Sequence, residues 1–238
     1  MDSGTSHPQL TGKETDDCAI SLLPYSNRAK RMSVKVKICG ITNVDDALAV
    51  AEAGADMAGF MFYENSPRYV PVHSAAEISR RMPQLVVKVG VFVNPSEDMV
   101  LRAIGDCGLS LLQFHGEESP EFCTQFGLMS LKAFRIRDTE SLGMLTNYPT
   151  EAWLLDTYTP DRPGGTGEKF DWELAVQAGK LGRPIFLAGG LTPENVAEAV
   201  RRVRPYGVDV SSGVETSPGK KDHAKVRSFI EAAKKADG

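Results

Sequence analysis

Eight short apolar segments alternate with helical patterns along most of the chain, and this order constrains the fold more than any other feature. The segments predict strands at residues 34–39, 57–62, 86–93, 110–114, 129–134, 153–156, 184–187 and 208–211. Strands that alternate with helices indicate parallel pairing through right-handed crossovers. Polar residues stand where the helices should begin, and we expect N-caps at Thr42, Ser74, Ser96 and Thr192.

The chain length and the first loop favour a closed barrel over an open sheet. α/β barrels commonly use about 250 residues for one domain, and this chain has 238 residues. An open, doubly wound sheet is the alternative, but no G-x-G-x-x-G follows the first strand. We therefore predict the α/β class and a single (βα)₈ TIM barrel over residues 33–238, with a parallel eight-stranded sheet inside a layer of helices.

The first 32 residues differ from the rest of the chain. They are polar, lack apolar periodicity and include several acidic residues, so they fit neither a secretory signal nor a typical transit peptide. We predict a disordered extension over residues 1–32 that takes no part in the chemistry. With no apolar run long enough for a membrane helix, we expect a cytoplasmic protein, and organelle import through the extension stays open.

Charge and cysteine content narrow the function classes. The net charge of −4 gives no support for binding to nucleic acid or to a membrane surface. None of the cysteines forms a C-x-x-C pair, so neither a disulfide framework nor a zinc site is predicted. The cysteines are Cys18, Cys39, Cys107 and Cys123.

Polar residues interrupt otherwise apolar strands. Because helices should cover the outer face of the sheet, we expect these side chains to point into the barrel, where a buried lysine needs an ionic partner or an anionic ligand. They are Lys37, Lys88, Gln113, Lys132, Asp156 and Asp209.

Glycine-rich runs follow the last three strands, at the end of the barrel where active sites lie. Backbone amides in such runs can approach an anion closely, and the ends of the last two strands often bind phosphate in this fold. Each run alone would be an ordinary turn, but together they predict a phosphate site. The runs are Gly164, Gly165, Thr166 and Gly167; Gly189 and Gly190; and Ser211, Ser212 and Gly213.

Two ionisable residues end strands on opposite sides of the predicted barrel. Cys39 ends the first strand on the same face as Lys37, whose ammonium group we expect to lower the thiol pKa. Asp156 ends the sixth strand. A buried apolar cysteine and a helix-capping aspartate are the structural alternatives. An acid and a base on opposite sides of a bound sugar would suit an isomerisation.

Three further residues are candidates on the same rim. Arg68, in the loop after the second strand, could hold a substrate carboxylate or could be a solvated loop arginine. Asp209 could accept a hydrogen bond from the substrate or pair with an interior lysine. His115 could line the site or serve as a structural hydrogen-bonding group.

Blocks of sequence on every predicted rim loop follow one another in order. They are VKICGIT at 36–42, GFMFY at 59–63, SPRY at 66–69, QFHGE at 113–117, LLDT at 154–157, GGTG at 164–167, FDW at 170–172, GGLTPENV at 189–196, VDVSSGVE at 208–215 and PGKKD at 218–222. In content and order they resemble the phosphoribosylanthranilate isomerase family. Phe114 departs from the pattern, where an aliphatic residue is expected, and the leading extension has no counterpart.

The resemblance implies an intramolecular oxidoreductase, that is, an isomerase of tryptophan biosynthesis. Such an enzyme converts N-(5-phospho-β-D-ribosyl)anthranilate to 1-(2-carboxyphenylamino)-1-deoxy-D-ribulose 5-phosphate by an Amadori rearrangement. By position, Asp156 would be the general acid and Cys39 the general base. Arg68 would hold the anthranilate carboxylate, and the glycine runs would hold the phosphate. No cofactor and no metal are implied.

Two other functions stay open at this point. One is a non-catalytic sensor of a phosphate ligand on the same barrel. The other is a different phosphosugar enzyme, although relatives that handle two such substrates use a carboxylate pair, which Cys39 disfavours. The expected partner is the small phosphosugar–anthranilate substrate, with neither nucleic acid nor membrane, and the choice between monomer and homodimer is open.

Overall fold

Eight parallel strands close into a barrel, which confirms the predicted fold class. The computed structural model describes residues 1, 33–156 and 172–238. The strands are β1 (Lys35–Cys39), β2 (Met57–Met61), β3 (Val87–Phe92), β4 (Leu111–Phe114), β5 (Met129–Arg135), β6 (Ala152–Asp156), β7 (Ile185–Ala188) and β8 (Gly207–Val210). Each strand pairs with the next in chain order, and β8 pairs with β1. Apart from Met1, the predicted extension lies outside the described residues, and its disorder stays a prediction.

Helices connect the strands of the barrel. They are α1 (Val44–Glu52), α2 (Val72–Arg81), α3 (Glu97–Cys107), α4 (Pro120–Thr124), α5 (Trp172–Gly179), α6 (Val196–Val203) and α7 (His223–Asp237). Short 3₁₀ helices cover Glu140–Asn147 before β6 and Ser212–Val214 after β8. A hairpin of β9 (Glu215–Ser217) and β10 (Lys220–Lys221) precedes α7. Within the described ranges, every helix is too short or too polar to cross a membrane.

Helix starts agree with the predicted caps at one of four positions. The Ser96 hydroxyl caps α3 by accepting a hydrogen bond from the Met99 amide at 3.3 Å. The predicted cap at Ser74 is wrong, because α2 begins before it. The cap at Thr192 is also wrong, because a turn separates it from Val196, where α6 begins.

The first helix is capped by Asn43 rather than by the predicted Thr42. The Asn43 side chain accepts a hydrogen bond from the Asp46 amide at 2.8 Å. The Thr42 hydroxyl instead donates to the Gly219 carbonyl at 2.5 Å. Thr42 therefore links the start of α1 to the β9–β10 hairpin.

Strand register decides which polar residues face the barrel interior, because directly paired residues of a parallel sheet point to the same face. Lys37 pairs with Met57, a member of the apolar cluster inside the barrel, and with Asp209 on its other side. Gln113 and Asp156 likewise pair with members of that cluster. The inward orientation predicted for these four polar residues is confirmed.

The inward orientation predicted for Lys88 and Lys132 is wrong. Lys88 pairs with Ala58 and Lys132 with Phe114, and both partners belong to the apolar layer between sheet and helices. Alternation could not separate the two faces, because helices and the barrel core leave both faces of each strand apolar. Lys132 is nevertheless paired, since its Nζ lies 3.0 Å from Oε2 of Glu118.

The unexpected Phe114 belongs to a line of aromatic rings on the outer face of the sheet. Its ring stacks on Phe92 at 6.0 Å and on Phe126 at 5.9 Å, and Phe92 stacks in turn on Phe62 at 5.2 Å. Such offset contacts add to the energy of apolar burial. The aromatic residue is therefore explained by its neighbours in the helix layer.

Candidate active site

A cavity of about 350 Å³ opens at the carboxyl ends of the barrel strands. The predicted site residues that line it are Cys39, Arg68, Asp156, Gly189, Gly190, Asp209, Ser211, Ser212 and Gly213. The predicted run Gly164, Gly165, Thr166 and Gly167 lies outside the described residues. A wider groove of about 790 Å³, between the start of α1 and β10, contains neither Cys39 nor Asp156.

Cys39 ends β1 with its side chain facing the interior and 6% exposed. Gly59, its neighbour on β2, leaves room for the sulfur, because a Cβ there would stand 2.9 Å from Sγ. Burial raises the pKa of the Cys39 thiol, although the ammonium groups of Lys37 and Lys221 act in the opposite direction. Lys37 thus acts on the thiol pKa in the expected direction, but desolvation outweighs the lysine charges and the pKa stays above its ordinary value.

Lys37 and Asp209 form a buried ion pair beneath the thiol. The Lys37 side chain is fully buried, and its Nζ lies 2.9 Å from Oδ1 of Asp209. Burial alone would lower the pKa of Lys37, but Asp209 and Cys39 together outweigh it and raise the pKa, so the lysine stays charged. Of the two roles left open for Asp209, the structure shows the lysine pair. The other oxygen, Oδ2, makes no hydrogen bond to residues 33–156 or 172–238, and Asp209 lines the cavity.

Asp156 ends β6 and contacts His115, the residue whose role the sequence left open. Nε2 of His115 lies 3.2 Å from Oδ2 of Asp156. The other ring nitrogen, Nδ1, lies 3.3 Å from the side-chain nitrogen of Gln113. The Gln113 amide oxygen is buried and has no hydrogen-bond partner among the described residues. A line of polar groups thus runs from the barrel interior to the Asp156 carboxylate.

The loop that carries His115 is held by a buried carboxylate. Glu118 accepts hydrogen bonds from the amides of Asn94 at 2.8 Å and Gly116 at 2.9 Å. Lys132 reaches the same carboxylate from the outer face of β5 and also donates to the Gly116 carbonyl at 2.5 Å. Lys132, predicted to point into the barrel, therefore supports the loop of His115 from the outer face of the sheet.

A neighbouring glutamate, Glu215, binds one edge of the Arg68 guanidinium. Nε lies 2.9 Å and Nη2 2.7 Å from the Glu215 oxygens, which is a bidentate pair. This bonding raises the pKa of Arg68 above its ordinary value. Nη1 makes no hydrogen bond to any described residue and belongs to a side chain that lines the cavity. The guanidinium thus keeps one edge for an anion.

Glycine-rich loops after β7 and β8 form one corner of the cavity. Gly189 and Gly190 have φ of 85° and 64°, a left-handed backbone that favours glycine. A Cβ on Gly213 would collide with the Leu191 carbonyl, so the two loops pack directly on each other. The arrangement suits an anion held by backbone amides. Among the described residues, no group of three His, Cys, Asp or Glu side chains could hold a metal ion.

Comparison with known proteins places the chain among one set of barrels. Residues 36–232 match the family model described as N-(5'phosphoribosyl)anthranilate (PRA) isomerase. The N-(5'-phosphoribosyl)anthranilate isomerase of Geobacter sp. (strain M21) is 57% identical over 201 residues, which cover 84% of this chain and 98% of that relative.

Solved structures agree with the sequence match. The crystal structure of phosphoribosyl anthranilate isomerase from Thermotoga maritima has a TM-score of 0.80 at 45% identity, covering 85% of this chain and 99% of that chain. A crystal structure of phosphoribosyl anthranilate isomerase in complex with reduced 1-(o-carboxyphenylamino)-1-deoxyribulose 5-phosphate has a TM-score of 0.77 at 42% identity, covering 85% of this chain and 99% of that chain. Because the matches span the barrel from β1 into α7 and include every described rim loop, the chain belongs to the phosphoribosylanthranilate isomerase family.

Proposed function

We propose that this chain converts N-(5-phospho-β-D-ribosyl)anthranilate to 1-(2-carboxyphenylamino)-1-deoxy-D-ribulose 5-phosphate. One observation carries the proposal: a single cavity brings together a strand-end thiol, a strand-end carboxylate, an arginine and two glycine-rich loops. Family membership supports the same reaction. The ligand named for one solved relative is the reduced form of the proposed product.

The substrate has two anionic ends, and the cavity has a matching group for each. The loops around Gly190 and Gly213 would bind the phosphate through backbone amides. The unoccupied edge of the Arg68 guanidinium would bind the anthranilate carboxylate. Held at both ends, the ribose would lie across the barrel mouth, between Cys39 and Asp156.

Asp156 acts first in the proposed mechanism, as general acid. It donates a proton to the ribose ring oxygen while the C1′–O bond breaks and the nitrogen lone pair forms a C1′=N bond. The product of this step is an open-chain iminium ion, which carries a positive charge beside C2′. His115 contacts Asp156 and so would hold its carboxyl group in position.

Cys39 then acts as general base. Its thiolate removes the C2′ proton, and the electron pair of that bond forms the C1′=C2′ bond of a neutral enolamine. Burial raises the pKa of the Cys39 thiol, but an adjacent iminium charge favours the thiolate at the step that needs it. The enolamine becomes the ketone when C1′ gains a proton and the C2′ hydroxyl loses one, so no atom is gained or lost overall.

Substitution of the two proposed catalytic groups tests this assignment. Cys39→Ala and Asp156→Ala should each lower kcat by about 10²–10⁴-fold, the usual contribution of a general acid or base. Turnover is measured from the loss of substrate fluorescence. Product affinity should change little, because neither group holds an anionic end of the ligand.

The other described cysteines supply the matched controls. Cys107 and Cys123 are buried away from the cavity, and burial raises their thiol pKa values to about 11 and about 12. Cys107→Ala and Cys123→Ala should keep kcat near the wild-type value. Rates near wild type in both Cys39→Ala and Asp156→Ala would rule out the proposed acid–base pair, and binding without turnover in the wild type would favour a sensor.

A further inference from the structure

The hairpin β9–β10 contains residues of the family-like blocks that the mechanism has not yet used. Glu215 and Lys221 are 8% and 3% exposed, although both are charged. Their side chains lie 2.8 Å apart, from Lys221 Nζ to Glu215 Oε1. A buried ion pair is costly to desolvate and is weak evidence for a purely stabilising role. Its contacts with the catalytic rim suggest another role.

We propose that the Glu215–Lys221 pair positions the site from both sides, aligning Arg68 for the substrate carboxylate and fixing the strand end that carries Cys39. Neither residue touches substrate in this scheme, so both are positioning residues. The inference rests on the proposed function, because it takes the ligand of Arg68 to be the anthranilate carboxylate.

On one side, the Glu215–Lys221 pair acts on the direction and the charge of the Arg68 guanidinium. Glu215 occupies Nε and Nη2, which leaves Nη1 as the edge directed to a ligand. A carboxylate on its own would also cancel the guanidinium charge that an anionic ligand needs. Lys221 binds the same carboxylate, so the three side chains together keep one positive charge.

The protonation states fit this arrangement. Burial alone would raise the pKa of Glu215, but hydrogen bonds from Arg68 and Lys221 lower it overall. Burial also lowers the pKa of Lys221, and the glutamate opposes that effect. Each of the three side chains, Arg68, Glu215 and Lys221, therefore depends on the others to stay charged where water is excluded.

On the other side, Lys221 binds the backbone of Cys39. Lys221 Nζ donates to the Cys39 carbonyl at 2.6 Å and approaches the Ser211 carbonyl at 3.4 Å. The Ser211 hydroxyl donates to the same Cys39 carbonyl at 3.1 Å. Two donors beyond the sheet thus fix the peptide plane that follows the thiol and with it the direction of the side chain.

The hairpin itself is anchored to the start of α1. The backbone amide of Lys221 donates to Oδ2 of Asp46 at 2.9 Å, and Thr42 binds the Gly219 carbonyl. Nε2 of His223 lies 2.8 Å from the other oxygen of Asp46. The pair is therefore held in a fixed place relative to both β1 and β8.

The preference of the protein for a ligand with the carboxylate over the same ligand without it distinguishes a positioning role of the pair from a merely structural one. Binding of the product and of its analogue without the carboxylate, 1-phenylamino-1-deoxyribulose 5-phosphate, is measured by titration calorimetry. Glu215→Gln adds net positive charge but removes the carboxylate that aligns Arg68. If alignment is the role of Glu215, the preference for the carboxylated ligand should fall about 10–100-fold, the value of a lost charge-assisted hydrogen bond. Affinity for the phenyl analogue should stay near that of the wild type.

The lysine half of the pair should affect turnover as well. Lys221→Met should lose the carboxylate preference and should also lower kcat about 10²-fold, the usual cost of a small misplacement of a catalytic group. Lys220→Met is the matched control, because Lys220 is the exposed neighbour in the same hairpin. That variant should match the wild type in both measurements.

Two variants guard against loss of folding, and circular dichroism identifies the folded proteins. Glu215→Asp keeps the charge but withdraws the carboxylate from Arg68, and the double variant Glu215→Gln/Lys221→Met removes both charges of the buried pair together. Both should lose the carboxylate preference while folded. An unchanged preference in any folded Glu215 variant would overturn the inference. Turnover by the wild type is the separate test of the proposed function, and the binding ratio does not depend on it.

Discussion

A thiol held out of water is a weak acid, and Cys39, the proposed base, depends for its ionisation on the charges around it. Burial raises its pKa, while Lys37 and Lys221 act to lower it. Lys37 is itself held 2.9 Å from Asp209, so much of its positive charge is cancelled at the sulfur. A nearly neutral pair, rather than a single cation, therefore sets the reactivity of the residue.

Removal of the Lys37 charge should shift the pH dependence of the reaction. Lys37→Met takes away a cation that lowers the thiol pKa and leaves Asp209 uncompensated, and both changes raise that pKa. The limb of the pH profile on which kcat/KM rises with thiol ionisation should move to higher pH, because this limb reports the base of the free enzyme.

The control for this prediction is another lysine of the same strand. Lys35 pairs with Asp56 at 3.1 Å, away from the cavity, so Lys35→Met should leave the profile unchanged. A folded Lys37→Met protein with a wild-type profile would show that the lysine does not influence the base.

The sequence could place Cys39 on the rim but could not give the direction of its pKa shift. Alternation along one strand is enough to turn the thiol inward beside Lys37. The thiol pKa depends on the exclusion of water and on Asp209, which lies 172 residues beyond Lys37 in the chain. Neither is encoded in the local pattern.

At the scale of elements, the loop after β4 is built on a charge pair from outside the barrel. Lys132 and Glu118 are both buried, and through Glu118 they hold the amide of Gly116, next to His115. The contact of His115 with Asp156 therefore depends on a lysine in the helix layer.

Loss of that pair should reduce both stability and turnover. Lys132→Met leaves Glu118 buried without its cation, and the free energy of unfolding should fall by about 3–5 kcal/mol. The value of kcat should fall as well, because the loop that holds His115 loosens. Denaturant titration and steady-state kinetics measure the two effects.

Lys88 provides the comparison for this prediction. It is also buried on the outer face of its strand, but its side chain makes no ion pair with any described residue. Lys88→Met should therefore change the unfolding free energy by less than about 1.5 kcal/mol, as a volume-conserving change does. Equal losses of unfolding free energy in Lys132→Met and Lys88→Met would mean that the Lys132–Glu118 ion pair makes no specific contribution to stability.

Strands and helices were predictable here, whereas their connections were less so. Each barrel strand has enough apolar residues to be recognised, as the segment that ends at Asp156 illustrates. The hairpin β9–β10 has strands of three and two residues, too short for any periodicity. Its contacts with Arg68 and Cys39 come from tertiary structure, so the sequence indicates no role for Glu215 and Lys221 beyond their place in the family-like blocks.

The proposed phosphate site would join the loops that follow the last two strands of the barrel. The corner around Gly190 and Gly213 is open to a ligand on one side and packed on the other. A phosphate held there binds the folded state alone and should stabilise the entire barrel by mass action.

Paired substitutions at Gly190 test the phosphate corner. Gly190 has a φ of 64° and open space where a Cβ would stand, and both Asn and Asp tolerate this conformation. At a product concentration 100-fold above the Kd of Gly190→Asn, the product should raise Tm of that variant by about 5–10 °C. The same concentration should raise Tm of Gly190→Asp much less, because the carboxylate repels phosphate. Equal thermal shifts in the two variants would place the phosphate elsewhere.

The pairing of β1 with β8, which closes the barrel, has a consequence for how the protein is synthesised. Lys37 leaves the ribosome in the first barrel strand, but its counter-ion, Asp209, is synthesised 172 residues later. A nascent chain of seven strands would therefore have to bury an ammonium group without a carboxylate, which is strongly unfavourable. Closure of so long a loop is also slow. The completed barrel thus forms only after β8 has been translated, and a stalled, shorter chain is left open for proteases to degrade.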